Sequence, residues 1–171
     1  MEKSYKLIIF DVDNTLTTTK SGNTFRANAA DWQWLLGRLD ALRYLTVETV
    51  ETQVAVASNQ GGVAFGHMRE ADLTRELRRM CEEGGIPQEL LFTCFNHPTA
   101  SIEKYKREDP RRKPGAGMLI EAMAACHVEP GQTLMVGDRE EDLAAAINAD
   151  VDFKWTNEFF PEFFPEEGHP F

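Results

Sequence analysis

The sequence predicts an α/β protein: one Rossmann-like, doubly wound parallel sheet with helices packed on its faces. Short apolar, β-branched runs alternate along the chain with segments of helical period. Three of those runs stop abruptly in polar residues, and open α/β sheets bind their ligands beyond the carboxyl ends of the strands. Size agrees, since 171 residues with 42% hydrophobic and 27% charged composition suit one soluble domain with a substantial core. No repeat or linker divides residues 1–171, and residues 155–171 form an aromatic, acidic tail.

Leu7-Ile8-Ile9-Phe10 reads as a buried strand that ends in Asp11 and Asp13, followed by Asn14 and Thr15. Leu16 to Phe25, with its threonine run and Ser21-Gly22-Asn23 turn, reads as a small β-hairpin, or flap, beside the acidic pair. Trp32, Leu35, Leu36, Leu39 and Leu42 recur at helical spacing, with Asp31 near the start of the predicted helix. Val54 to Ala57 is a second strand, ending in Ser58-Asn59-Gln60-Gly61-Gly62. Leu73, Leu77, Met80 and Cys81 mark a helix stopped by Gly84-Gly85 and Pro87. Leu90 to Phe95 is a third strand, and a polar loop over 96–112 is long enough to suggest a functional role. Pro114 suits the first turn of a helix carrying Leu119, Ala122, Met123 and Cys126 on one face. Thr133 to Val136 is a fourth strand ending in Gly137-Asp138, followed by a helix with Leu143, Ala146 and Ile147 and a short strand at Val151-Asp152-Phe153.

Net charge is −10, which excludes a broad non-specific nucleic-acid surface but not a local basic pocket. Cys81, Cys94 and Cys126 are odd in number and far apart, so no disulfide framework is expected. No apolar run approaches the length of a membrane span, and Met1 leads almost directly into the first strand with no room for a signal peptide. A reduced, cytoplasmic setting is the expectation.

Acidic side chains at the mouth of a buried strand are costly without a compensating cation. Taken alone, Asp11-Val12-Asp13-Asn14 could equally be a turn. The other strand ends decide for a site: Ser58 and Asn59 at one, Asp138 with Asp142 behind it at another, and Lys113 at the start of a helix within reach of the same rim. This inventory suits phosphoryl transfer. Asp11 can attack phosphorus as a carboxylate nucleophile, and Asp13 can exchange protons with the leaving group and with water. Magnesium held by Asp11, Asp138 and the backbone carbonyl of Asp13 would offset carboxylate repulsion, while Ser58, backbone N–H groups and Lys113 stabilise the phosphoryl oxygens.

Asp11-Val-Asp13-Asn-Thr15, Ser58-Asn59, Lys113-Pro114 and Gly137-Asp138-Arg-Glu-Glu-Asp142 resemble the four motifs of the haloacid dehalogenase superfamily, in order and over nearly the whole chain. The resemblance implies Asp11 as nucleophile, Asp13 as general acid/base, and Ser58 and Lys113 as phosphate ligands; Thr15 and Asn59 complete the expected phosphate set with Arg112, whose guanidinium suits a distal phosphate or carboxylate of the substrate. The implied metal set for Mg²⁺ is Asp11, Asp13, Asp138 and Asp142. An aspartate at Asp13 marks phosphatases and phosphotransferases in that superfamily, and the spacing leaves room for a flap but no cap domain. Ser58 to Gly62, Cys94 to Pro98 and Arg112 to Met118 resemble the histidinol-phosphate and heptose-bisphosphate phosphatases. Thr19 to Phe25 with Asp31-Trp32, and Asn157 to Phe160, resemble the phosphatase domain of polynucleotide kinase 3′-phosphatases.

The sugar-phosphatase relatives often carry a zinc loop, but here Asn96 stands where its histidine would be, and Asp109 and Arg111 near its cysteine pair. Too few soft ligands remain for a structural zinc, so Cys94 reads as a strand-end thiol, His97 as a loop histidine, and the loop must be held by other contacts. The expected activity is a magnesium-dependent phosphomonoesterase acting on a small phosphorylated metabolite, a sugar or histidinol phosphate. A polynucleotide 3′-phosphatase is the alternative within that class, and a non-catalytic phosphate-binding scaffold the alternative outside it. Trp32 and Trp34 read as core rather than base-stacking residues, and Phe159 to Phe171 as packed on their own domain, which leaves a monomer or weak homodimer and no membrane partner.

Overall fold

The computed structural model describes residues 4–49 and 51–162. In chain order its strands are β1 (Leu7–Phe10), β2 (Thr17–Thr18), β3 (Gln33–Trp34), β4 (Gln53–Asn59), β5 (Leu91–Cys94), β6 (Thr133–Gly137) and β7 (Asp152–Trp155). Its helices are α1 (Arg38–Arg43), α2 (Glu70–Gly84), α3 (Gly117–Cys126), α4 (Glu140–Asn148) and α5 (Thr156–Phe159).

Five strands form one parallel sheet in the order β5-β4-β1-β6-β7. Every residue of β1 and β6 is buried, as expected of central strands covered on both faces, and this is why they read as continuous apolar runs. From β1 the chain moves outward through β4 to β5, then returns across the sheet to β6 and β7. Right-handed crossovers therefore put α2 on one face and α3 with α4 on the other. The direction of travel switches beside β1, so the crevice at its carboxyl end is the place for a ligand. Helix α2 buries Leu73, Leu77, Met80 and Cys81, and α3 buries Leu119, Ala122, Met123 and Cys126, the faces predicted from their spacing. Among the described residues nothing beyond the flap and loops rises over this rim, and no helix is long and apolar enough to cross a membrane.

Three local readings need correction. The helix expected from Trp32 to Leu42 is two elements: Gln33 and Trp34 form β3, and helix begins only at Arg38. Gly37, at φ 74°, turns the chain between them, and Leu36 is 97% exposed instead of lying on an apolar face. The flap is correspondingly wider than a hairpin closed at Phe25, since Thr17 pairs with Trp34 and Thr18 with Gln33. Pro114 does not open a helix, because α3 starts at Gly117. Residues 110–117 fold back as a turn, with Gly115 N–H donating to the Arg112 carbonyl at 2.7 Å and Gly117 N–H to the Pro110 carbonyl at 2.9 Å. A Cβ on Gly117 would lie 2.8 Å from that carbonyl oxygen and from Arg111 Cα, so the close approach needs glycine.

The polar loop after β5 is fastened by a carboxylate. Asp109 accepts from Asn96 Nδ2 at 2.6 Å, from the Arg111 N–H at 2.8 Å and from Cys94 Sγ at 3.6 Å. His97 Nδ1 accepts from the Thr99 N–H at 3.1 Å, and its ring lies 5.0 Å from that of Phe65. Of the expected packed tail, Phe159 and Phe160 are buried, while residues 163–171 lie outside the described set.

Candidate active site

Strand β1 runs out at Phe10, but Asp11 extends its ladder by donating its N–H to the Val136 carbonyl at 3.0 Å. The chain then turns tightly: the N–H groups of Leu16 and Thr17 both point to the Val12 carbonyl, at 2.9 and 3.0 Å. Asn14 takes the left-handed conformation at φ 63°, which asparagine tolerates better than other side chains. The turn separates the two carboxylates. Asp11 is buried, whereas the Asp13 side chain is 37% exposed at the rim.

Lys113 arrives from the far side of the rim and is itself buried. Its Nζ donates to Asp11 Oδ1 at 2.7 Å, Asp142 Oδ1 at 2.6 Å and the Ala57 carbonyl at 2.8 Å, using all three ammonium protons. The other oxygen of Asp142 accepts the N–H groups of Asp138 and Arg139 at 3.2 and 3.1 Å, which ties the start of α4 to the lysine. Burial opposes the charge on Lys113, but Asp11 and Asp142 more than offset it and hold the ammonium above the ordinary lysine value. Burial pushes the Asp11 carboxyl up to about 7; Lys113 works against that shift and Asp142 adds to it. Asp138 is also raised, by burial and then by Asp142. Oxygens of Asp11, Asp138 and Asp142 lie within 4.8 Å of one another. Three hard carboxylates served by one ammonium leave an excess of negative charge, a donor set that fits magnesium.

The remaining predicted residues stand around this core. Ser58 is fully buried at the end of β4, and Gln60 Nε2 bridges its hydroxyl, at 2.9 Å, to Asp13 Oδ2, at 2.8 Å. Thr15 Oγ1 faces Asp138 Oδ1 at 3.4 Å, so its hydroxyl sits beside the carboxylate cluster. Arg112 Nη1 donates to the Asn96 carbonyl at 3.2 Å and is half-buried, with burial lowering its pKa.

Two of the predicted side chains point to other partners. Both ends of the Asn59 amide are taken by the Lys113 backbone, at 2.8 and 3.0 Å, so its side chain holds the lysine in place. The Asp13 carboxylate lies outside the three-carboxylate cluster, turned toward Gln60 and Arg26. Sequence reasoning missed Gln60 and Arg26. Gln60 carried one signal, a polar residue directly after a strand end. Arg26 carried none, since nothing local pairs it with Asp13.

The chain matches the family model described as polynucleotide kinase 3 phosphatase over residues 6–160. It is 32% identical to the D-glycero-beta-D-manno-heptose-1,7-bisphosphate 7-phosphatase of Salmonella typhi, covering 90% of this chain and 81% of that protein. The Escherichia coli K12 protein of the same name is 29% identical over 90% of this chain and 80% of its own length. The solved structure of D,D-heptose 1,7-bisphosphate phosphatase from B. bronchiseptica, complexed with magnesium and phosphate, superposes with a TM-score of 0.67 at 26% identity, covering 86% of this chain and 78% of that one. With the four motifs gathered on one rim of a matching fold, the chain belongs to the polynucleotide kinase 3 phosphatase family and is a phosphatase of the haloacid dehalogenase superfamily.

Proposed function

We propose that this phosphatase hydrolyses a small phosphomonoester, of the sugar-phosphate class, through an aspartyl-phosphate on Asp11. The observation that carries the reading is the Lys113 ammonium between Asp11 and Asp142, at 2.7 and 2.6 Å, at the switch point of the sheet. In the first step an Asp11 oxygen bonds to phosphorus as the ester P–O bond breaks, and Asp13 gives its proton to the departing alkoxide. In the second, water attacks the same phosphorus, Asp13 takes the water proton, and Asp11 leaves as carboxylate. Lys113 and Ser58 face the charge that develops on the phosphoryl oxygens. Asp11, Asp138 and Asp142 would hold magnesium, which when bound offsets carboxylate charge and favours the ionised nucleophile.

The relatives named as heptose-bisphosphate phosphatases and the charge of −10 both support a compact metabolite over a polynucleotide end. The test is turnover of a panel of sugar phosphates, sugar bisphosphates, histidinol phosphate and 3′-phosphorylated oligonucleotides. Asp11→Asn should abolish hydrolysis of every active substrate, and chelation should do the same reversibly, with magnesium restoring it. Activity surviving Asp11→Asn would exclude the covalent route, and steep salt sensitivity confined to oligonucleotides would move the assignment to nucleic-acid ends.

A further inference from the structure

Residues 19–32, the excursion between the two strands of the flap, contain one arginine, and it reaches back into the site. Arg26 Nε and Nη2 donate to Asp13 Oδ1 at 2.9 and 2.8 Å, and the arginine side chain is only 5% exposed. Among the described residues this guanidinium otherwise meets Thr17 Oγ1, at a marginal 3.5 Å, and Nη1 is buried with no partner. A guanidinium that merely fastened a loop would be expected to saturate its donors on carbonyls of the fold, because a buried unpaired donor is destabilising. Arg26 is spent almost wholly on one oxygen of one carboxylate. The second oxygen of Asp13 accepts from Gln60 Nε2 at 2.8 Å, so both ends of the carboxylate are fixed, one from the flap and one from the sheet.

We propose that Arg26 is a positioning residue: the flap delivers a guanidinium that aims Asp13 at the bridging oxygen of the ester. The inference rests on the reading of Asp13 as general acid given above. It makes the flap part of the catalytic machinery, and it identifies the substrates that depend on the flap. An alkoxide leaving from a sugar or polyol phosphate requires a proton in the transition state, whereas a nitrophenolate departs without one. A misaimed Asp13 should therefore slow alkyl phosphates selectively, a pattern that general loss of structure does not produce.

The test compares kcat/KM, which reports all steps through ester cleavage, on glycerol 3-phosphate and p-nitrophenyl phosphate. Arg26→Met should lose about 100-fold on the alkyl ester and less than about 5-fold on the aryl ester. Arg26→Lys, which keeps the cation but not the planar fork, should recover part of the alkyl activity. In an Asp13→Asn background, Arg26→Met should add almost nothing, because the arginine acts through the aspartate. Equal losses on the two esters, or an undiminished loss in the Asp13→Asn background, would overturn the proposal. Should Asp13→Asn itself leave glycerol 3-phosphate turnover intact, the general-acid assignment fails instead; if that variant is crippled while Arg26→Met is not, only the role of Arg26 falls.

Discussion

Lys113 shows how far one side chain can organise a site. Its three donors meet Asp11, Asp142 and the Ala57 carbonyl, and Asn59 grips its backbone from both sides. Replacing it by methionine would leave two buried carboxylates facing each other without a cation. Breaking a buried pair in this way costs about 3–5 kcal/mol, because the surviving charge is uncompensated. Lys113→Met should therefore lower stability in urea by that order and abolish turnover; a variant as stable as the parent would show that the ammonium is not the partner these carboxylates need. Arginine should not rescue activity, since a planar fork cannot reproduce three convergent bonds from one nitrogen. Asp11, Asn59 and Asp142 were legible in the sequence because each closes a strand or opens a helix on the same rim; Lys113 was read at a helix start and stands instead in the turn before α3. Arg26 was not legible, and Gln60 only as a polar residue after a strand end, because the folded loops alone bring them to Asp13.

At the scale of elements, the flap is held less by strand pairing than by Asp31 and two indoles. Asp31 accepts from the Ser21 N–H at 2.8 Å, Ser21 Oγ at 2.7 Å and the Ala27 N–H at 2.8 Å. Trp32 and Trp34 dock the flap on α2 through Glu76 and Glu83, at 3.1 and 2.8 Å. The helical spacing of Trp32 to Leu42 misled because Trp32 and Trp34 also fit a two-residue period, and the decisive turn at Gly37 is a backbone property that hydrophobic spacing does not display. The hydrogen bond from Ala27, followed by that from the Ser21 hydroxyl, holds the Asp31 carboxyl down to about 2 from an ordinary value of 3.8. A depressed carboxyl contributes stability above its unfolded pKa and loses it as pH falls through the folded value. The flap should thus keep its order at pH 4 and above and loosen as pH drops from about 4 toward 2. Asp31→Asn should increase protease cleavage within residues 19–32 at neutral pH and flatten that acid dependence. Unchanged cleavage would show that the tryptophans alone hold the flap.

Across the whole molecule, the first strand and the last described residues close on each other. Phe10, at the end of β1, meets the rings of Phe159 and Phe160 at centroid distances of 5.4 and 5.8 Å. The Arg38 guanidinium lies 3.7 Å over the Phe160 ring, and its Nε donates to the Thr15 carbonyl at 3.1 Å. Phe159 and Phe160 therefore back the turn that carries Asp11 and Asp13. The sequence displayed phenylalanine pairs near the end of the chain but not their contact, which depends on β7 pairing with β6 and so returning residues 156–160 beneath β1. Removing one fully buried phenylalanine costs about 3–5 kcal/mol, a large share of the roughly 5–15 kcal/mol that holds a domain together. Phe160→Ala should lower the melting temperature by about 10 °C and reduce turnover as the support under Thr15 slackens. Truncation after Lys154 removes both rings that pack on Phe10, and should leave a chain with no cooperative melt at 37 °C or above. A truncated protein with an unaltered melt and full activity would mean that β1 and its turn stand without this buttress.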